Sequence, residues 1–397
     1  MPKPKTRTPL WKGPDVDGIT QSLLGRFLEC RERFRLKVVD GLAEDEGFSR
    51  PLEFGNLWHT AEEAYLGGHD WLPPVEKYRR RLEQRYPNDL NEIMKWFKVT
   101  KTTFPIYLEY WAKQKDEKDA KPILEEKSFA IPYTLPSGRM VLLRGKWDAL
   151  RLLPLPQKRG KWGIYIKEHK TKGEIDEDGI LKTLAWNMQT MMYQIALRQW
   201  CTYAWSDDAP PKMAPDSSKD GTRLVKALIE GHKPAGVIYN VVRRPLADRY
   251  AIKQKKMESI DQFYRRLGDV IKTDSFDSKG KPKQKSNYFM RWKVEITDED
   301  IQQFKDHTFH PILESLMDWW EWIKVDPFDP WTQRSTLLCN DEKQYIKWQH
   351  MSPPHYQSPW GVHNSLAGGF RGSFFEYLTS GRDYGLIQNT TLFPELA

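Results

Sequence analysis

Two short segments hold residues whose types and spacing could do chemistry. In Arg144-Gly145-Lys146-Trp147-Asp148, the carboxylate of Asp148 sits inside an apolar, alternating stretch that reads as a strand. A charge in a half-buried strand is costly unless it is paired or metal-bound. Further on comes Ile164-Tyr165-Ile166-Lys167-Glu168-His169-Lys170-Thr171, with Glu168 and Lys170 two residues apart. Strand alternation puts both side chains on one face, toward a neighbouring strand that offers Asp148. Two carboxylates with room for water suit Mg²⁺, a hard ion that takes oxygen ligands. Such an ion polarises a phosphodiester and acidifies a bound water. An amine beside that water can orient it or stabilise charge in the transition state. Taken alone, E-x-K is short and common and more often marks a cross-strand salt bridge on an exposed sheet face.

Two further features bear on that choice. Gly55-Asn56-Leu57-Trp58-His59-Thr60-Ala61-Glu62-Glu63 places a histidine near the expected start of a helix, with Glu62 and Glu63 on the same face. His59 is there either a metal ligand or a surface or capping residue. Gln189 and Tyr193 stand at i and i+4 of a helix expected from Leu181 to Tyr203. The spacing aligns an amide and a phenol suited to holding a phosphate or a base, and is also ordinary amphipathic decoration.

The elements that must position these groups follow from hydrophobic period and turn chemistry. Helical spacing of Leu23, Leu24, Phe27, Leu28 and Phe34 starts at the N-cap Thr20. A second helix carries Leu57, Trp58, Ala61, Ala64 and Tyr65 up to Gly67-Gly68. Residues 74–118 read as two more helices, broken near Pro87. Strands are expected at Ile123–Tyr133, Arg139–Leu153, Trp162–His169 and Gly236–Val242, with Gly145 marking a bulge or bend. Residues 257–271 and Ile301–Ile323 read as helices, 206–222 as a surface loop and 273–287 as a flexible linker.

Composition bounds the function classes. The 397 residues can bury a sizeable core and contain no apolar run of spanning length. Neither a signal peptide nor a disulfide framework is expected, since no apolar stretch follows the N-terminus and the cysteines are only Cys30, Cys201 and Cys339. This places the chain in a reducing, cytoplasmic setting. The net charge of +8 is modest, but basic residues concentrate in 253–293 and in Arg26, Arg31, Arg33, Arg35 and Lys37. Such faces attract a phosphate backbone, and also occur as plain solvated helix surfaces. Seventeen tryptophans can stack on unpaired bases or fill the core. Glycoside hydrolysis needs two opposed carboxylates and no lysine, which the Glu168/Lys170 pairing disfavours.

In the order helix-His59, strand-Asp148, strand-Glu168-x-Lys170, helix-Gln189-x-x-x-Tyr193, the set resembles the RecB-type branch of the PD-(D/E)XK nuclease superfamily. Ser22-Leu23-Leu24-Gly25-Arg26-Phe27-Leu28-Glu29-Cys30-Arg31-Glu32-Arg33-Phe34 is similar to that branch's opening helix, and Gly236 to Arg244 to the later strand of phage-encoded relatives. The resemblance spans about residues 20–330 and implies a restriction-endonuclease-like α/β core, a central mixed sheet flanked by helices, behind an N-terminal helical region. It implies hydrolysis of DNA phosphodiesters, chiefly at DNA ends, with Mg²⁺ or Mn²⁺. By motif position His59, Asp148, Glu168 and the His169 carbonyl would be metal ligands, Lys170 the catalytic lysine, and Gln189 and Tyr193 DNA-engaging. The chain would divide into an irregular arm (1–19), a helical region carrying His59 (20–120), a nuclease core with insertions (121–330) and an irregular aromatic-rich region (331–397).

Some relatives hold an iron–sulfur cluster on one N-terminal and three C-terminal cysteines. Here Cys30 stands at the first position and Cys339 alone at the others, so no cluster is expected. Cys30 then reads as a buried helix residue, and Cys339, His350, His355 and His363 match no standard zinc spacing. A DNA-binding or recombination accessory protein without hydrolysis is the alternative function. A recombination or replication protein is a candidate partner, no membrane is implied, and a phage-encoded chain would work in the host cytoplasm.

Overall fold

The computed structural model describes residues 9–29, 31–44, 47–155, 160–203, 219–247, 251–325 and 386–388. Along the chain run α1 (Gln21–Glu29), α2 (Arg31–Phe34), a π-helical turn (Arg35–Val39) and β1 (Leu42–Glu44). Next come α3 (Arg50–Leu66), α4 (Leu72–Arg85), α5 (Leu90–Ala112) and α6 (Lys115–Asp119). Three strands follow, β2 (Lys121–Thr134), β3 (Met140–Pro154) and β4 (Trp162–Lys172). Then come α7 (Glu177–Thr183), α8 (Met188–Tyr203), α9 (Lys219–Ile229), β5 (Lys233–Arg243), α10 (Ile260–Ser275) and β6 (Phe289–Glu295). The last elements are α11 (Asp298–Phe304), a second π-helical turn (Lys305–Phe309), α12 (His310–Val325) and β7 (Leu386–Gln388).

The chain forms two compact units, residues 47–127 with 146–301, and the remaining segments 1–46, 128–145 and 302–397. In the latter unit α1 and α12 share an aromatic core. Phe27 meets Phe34 at 5.7 Å and Trp319 at 5.4 Å, and Trp11 meets Trp320 at 5.0 Å between ring centroids. Part of the basic N-terminal cluster serves this packing. Arg35 is buried against Asp40 at 2.8 Å, and Arg31 lies over Phe27 while donating to Ser315 Oγ. β1 pairs antiparallel with β7, a strand within the stretch expected to be irregular. Cys30 and Cys339, the three C-terminal histidines and most of the 206–222 loop lie outside the described residues, although α9 takes up that loop's last positions.

A mixed five-stranded sheet runs in the order β2-β3-β4-β5-β6. β4 is its centre, antiparallel to β3 and parallel to β5, and β5 is antiparallel to β6. The parallel β4–β5 pair demands a crossover, which α7, α8 and α9 supply. On the 47–301 unit, α3, α4, α5 and α10 cover one face through Phe54, Trp58, Phe104, Tyr107, Phe263 and Leu267, packed with Val242 and Phe289. α10 shows why such helices form. Ser259 and Gln262 close a capping box, and Phe263, Leu267 and Ile271 then bury one stripe. Most of the described tryptophans serve as core, with Trp58 and Trp147 fully buried. No described helix is long and apolar enough to cross a membrane.

Two expectations are corrected and one strand is added. The helix expected from Leu181 to Tyr203 is broken, because Asn187 leaves helical geometry and its Oδ1 caps the amides of Gln189 and Thr190. Residues 273–287 form no flexible linker. The Asp274 carboxylate accepts from Ser286 Oγ, Asn287 N and Asn287 Nδ2, and Phe276 bridges Pro282. The edge strand β6 went unread, since Arg291, Lys293 and Glu295 alternate with apolar residues inside a stretch dominated by lysine.

Candidate active site

From Gly163 to His169 every residue of β4 is buried. The first part is apolar, as a strand covered on both faces should be. Its end is not, because Lys167, Glu168 and His169 are 4%, 3% and 4% exposed. Three consecutive buried ionisable groups cost several kcal/mol each unless partners surround them.

Alternation sends Lys167 and His169 to one face. There Lys167 Nζ meets Glu117 Oε1 at 2.5 Å, and Arg291 reaches Glu117 Oε2 at 2.7 Å and Asn240 Oδ1 at 2.7 Å. His169 Nδ1 lies 2.5 Å from Glu62 Oε1, and the Tyr107 hydroxyl donates to the same oxygen at 2.6 Å. Burial, with Lys167 nearby, holds the imidazole down at about 3, so His169 is neutral. Burial likewise pushes Glu62 up to about 7, against the pull of His59 and Tyr107.

Glu168 and Lys170 face the other way, 3.4 Å apart, with Gln189 Nε2 of α8 donating to Glu168 Oε2 at 2.9 Å. Asn187, two residues before Gln189, caps the start of α8 and accepts from the Gln189 amide. Burial, joined by the charge of Asp148, pushes Glu168 up to about 8. Burial would lower Lys170, but Glu168 and Asp148 outweigh it and hold the ammonium charged. Tyr193, one turn beyond Gln189, feels the charges of both Glu168 and Lys170 and makes a backbone hydrogen bond with Lys146.

Asp148 stands just past the end of the β3–β4 ladder, whose last pair here is Ala149 with Lys167. Its Oδ2 accepts the His169 amide at 2.8 Å, so the carboxylate takes the place of a ladder bond and stays beside Glu168. His59 comes from the middle of α3, not its start, and is no cap. Ligand atoms of His59, Asp148 and Glu126 lie within 4.8 Å of one another, and Glu168 does not join that group. Glu126, Glu62 and Tyr107 were missed as site residues. For Glu62 the signal was its place on the His59 face of the helix, and for Glu126 the Glu125-Glu126 pair, two successive acids inside a strand pattern.

The donor set fits a divalent cation. Glu168 Oε1 and Glu62 Oε2 are buried without a hydrogen-bond partner, and burial also pushes Glu126 up to about 7, against the pull of Lys146. Carboxyls shielded from water in this way hold their protons until positive charge stands beside them.

A mixed sheet flanked by helices, with carboxylates of β2, β3 and β4, the Lys170 ammonium and the His59 imidazole of α3 brought together, defines a restriction-endonuclease-like α/β protein with a metal-binding site. Residues 19–311 match the PD-(D/E)XK nuclease superfamily. The match covers most of the chain, which therefore belongs to that superfamily and is a nuclease by family. No curated protein matches the sequence at a significant level.

Proposed function

We propose that this chain is a metal-dependent deoxyribonuclease of the RecB-type branch that trims DNA from its ends. The observation that carries the reading is the convergence of Asp148, Glu168 and Lys170, with the Glu168–Lys170 contact at 3.4 Å and Gln189 holding Glu168. Asp148, Glu168, the His169 carbonyl and His59 are the groups that would hold Mg²⁺ or Mn²⁺. When bound, the ion polarises the scissile phosphodiester and lowers the pKa of a coordinated water.

The protein's own groups do the rest. Lys170, kept protonated by its two acidic neighbours, orients the attacking water and balances charge growing on the phosphate oxygens. Gln189 ties Glu168 in one rotamer, so the carboxylate faces the reacting centre without searching for it. Tyr193, on the same helix face, is in this reading a contact for the DNA backbone.

Incubation with linear DNA and Mg²⁺ or Mn²⁺ tests the reading. Digestion should be lost in Asp148→Asn and Lys170→Ala, and covalently closed circles should survive where linear DNA does not. Undiminished digestion by either variant would refute the site assignment. Tight DNA binding in EDTA with no metal-stimulated cleavage would favour an accessory protein.

A further inference from the structure

Lys172 has no part in the mechanism above, and its surroundings set it apart from the other lysines of β4. Lys167 meets Glu117, and Lys170 is balanced by Glu168 and Asp148. Lys172, half-buried at the end of the same strand, makes no ion pair and no side-chain hydrogen bond among the described residues. Its ammonium instead lies over the ring of Tyr239, 5.9 Å from the centroid. A ring face holds a cation without neutralising it, so the charge stays available to an anion. Burial and the charge of Lys170 both hold Lys172 below the ordinary lysine range. That is what a like charge does when no acid offsets it.

The placement points to the anion. Strand alternation puts Lys172 on the face of Glu168 and Lys170, two residues and about 6.6 Å beyond the latter. Successive phosphates of a nucleic-acid strand are spaced on the same scale, and a protein groove that tracks a strand does so with cations at that interval. Tyr239 pairs in register with Glu168, and Trp292 with Tyr239. Buried Trp292 backs the Tyr239 ring at 6.5 Å between centroids and limits where it can turn. The ring under Lys172 is therefore fixed beside the reacting centre.

We propose that Lys172 is a substrate-binding residue that holds the DNA phosphate next to the scissile one, with Tyr239 as the platform that aims its ammonium. This rests on the nuclease reading and deepens it, since Lys170 then serves the reacting phosphate and Lys172 its neighbour. The contact reads the backbone alone and accepts any base sequence. A phosphate arriving here also relieves the repulsion between the two ammoniums. A lysine already paired with an acid would first have to give up its partner.

The test is steady-state digestion of linear DNA, with DNA binding measured in EDTA at several salt concentrations. Lys172→Gln should raise KM several-fold and reduce the slope of log affinity against log salt by about one, the loss of one phosphate contact. Lys172→Arg should restore both. Mn²⁺ affinity without DNA should match wild type in both variants, which separates a substrate contact from a disturbed metal site. Lys77→Gln, the same charge loss at an exposed position of α4, should leave KM and slope as they are. Matching melts establish that the variants are folded. Should Lys172→Gln melt early, Tyr239→Leu carries the test, because it keeps the charge and removes its platform, and an unchanged KM there overturns the proposal. A wild-type KM and slope in Lys172→Gln, or an equal loss in Lys77→Gln, overturns it too. The nuclease reading survives those results if Lys170→Ala is inactive. A wild-type protein that digests no DNA with either ion sinks both.

Discussion

Replacing Glu168 by glutamine should stabilise the metal-free protein, and by more as the pH rises. Glu168 is 3% exposed, and burial with the Asp148 charge raises its carboxyl to about 8 from an ordinary 4.5. An acid whose folded pKa lies above its unfolded value binds its proton more tightly when folded. The contribution is therefore fully present below about pH 4.5 and is lost as pH climbs toward about 8. Each pH unit is about 1.4 kcal/mol, so the window from about pH 5 to 8 amounts to a few kcal/mol at most. Lys170 loses one of its two acidic partners in the variant and keeps Asp148, which offsets part of the gain. The variant should be the more stable at pH 8 and match wild type near pH 5. Urea unfolding in EDTA at several pH values measures the difference. Added Mn²⁺ should stabilise wild type and narrow the gap, since a ligand that binds only the folded state adds to its stability. A variant less stable at pH 8, or a difference independent of pH, would refute the reasoning.

Other consequences follow from the same contacts. Gln189→Ala removes the 2.9 Å bond to Glu168 and should lower kcat by roughly tenfold or more, with Mn²⁺ still bound; a wild-type kcat would show that Glu168 needs no such hold. Burial would raise Glu117, but Lys167 and Arg291 outweigh it and hold the carboxyl at about 2. Glu117→Gln should therefore cost about 3 kcal/mol near neutrality, with the gap closing as pH falls from about 4.5 toward 2, checked by denaturation at both ends. Trp186 is 46% exposed three residues before Gln189. Trp186→Ala should raise KM for DNA while leaving Mn²⁺ affinity unchanged, by steady-state kinetics and metal titration. If a metal-bound water is the nucleophile, activity should climb from about pH 6 toward mildly alkaline pH, and a flat initial-rate profile would count against it.

The sequence alone determined the parts whose geometry is local. Two-residue alternation put Glu168 and Lys170 on one face, and one helical turn aligned Gln189 with Tyr193, so these relations were legible before any fold was known. The helices and strands that carry them were legible for the same reason, because hydrophobic period reports burial over a few neighbouring residues. Breaks were harder. Asn187 looks like any polar helix residue until its side chain is seen capping α8, and β6 hides its period among lysines needed at a sheet edge. What the tertiary structure decided was the company each acid keeps. Nothing near Glu126 in the sequence points to His59 or Asp148, which reach it from another helix and another strand. Likewise Glu62, Tyr107 and His169 meet only because α3 and α5 cross the face of β4 opposite Glu168. Strand order and helix placement come from burying apolar surface across the whole unit, and that sum over distant residues is what no short window of sequence contains.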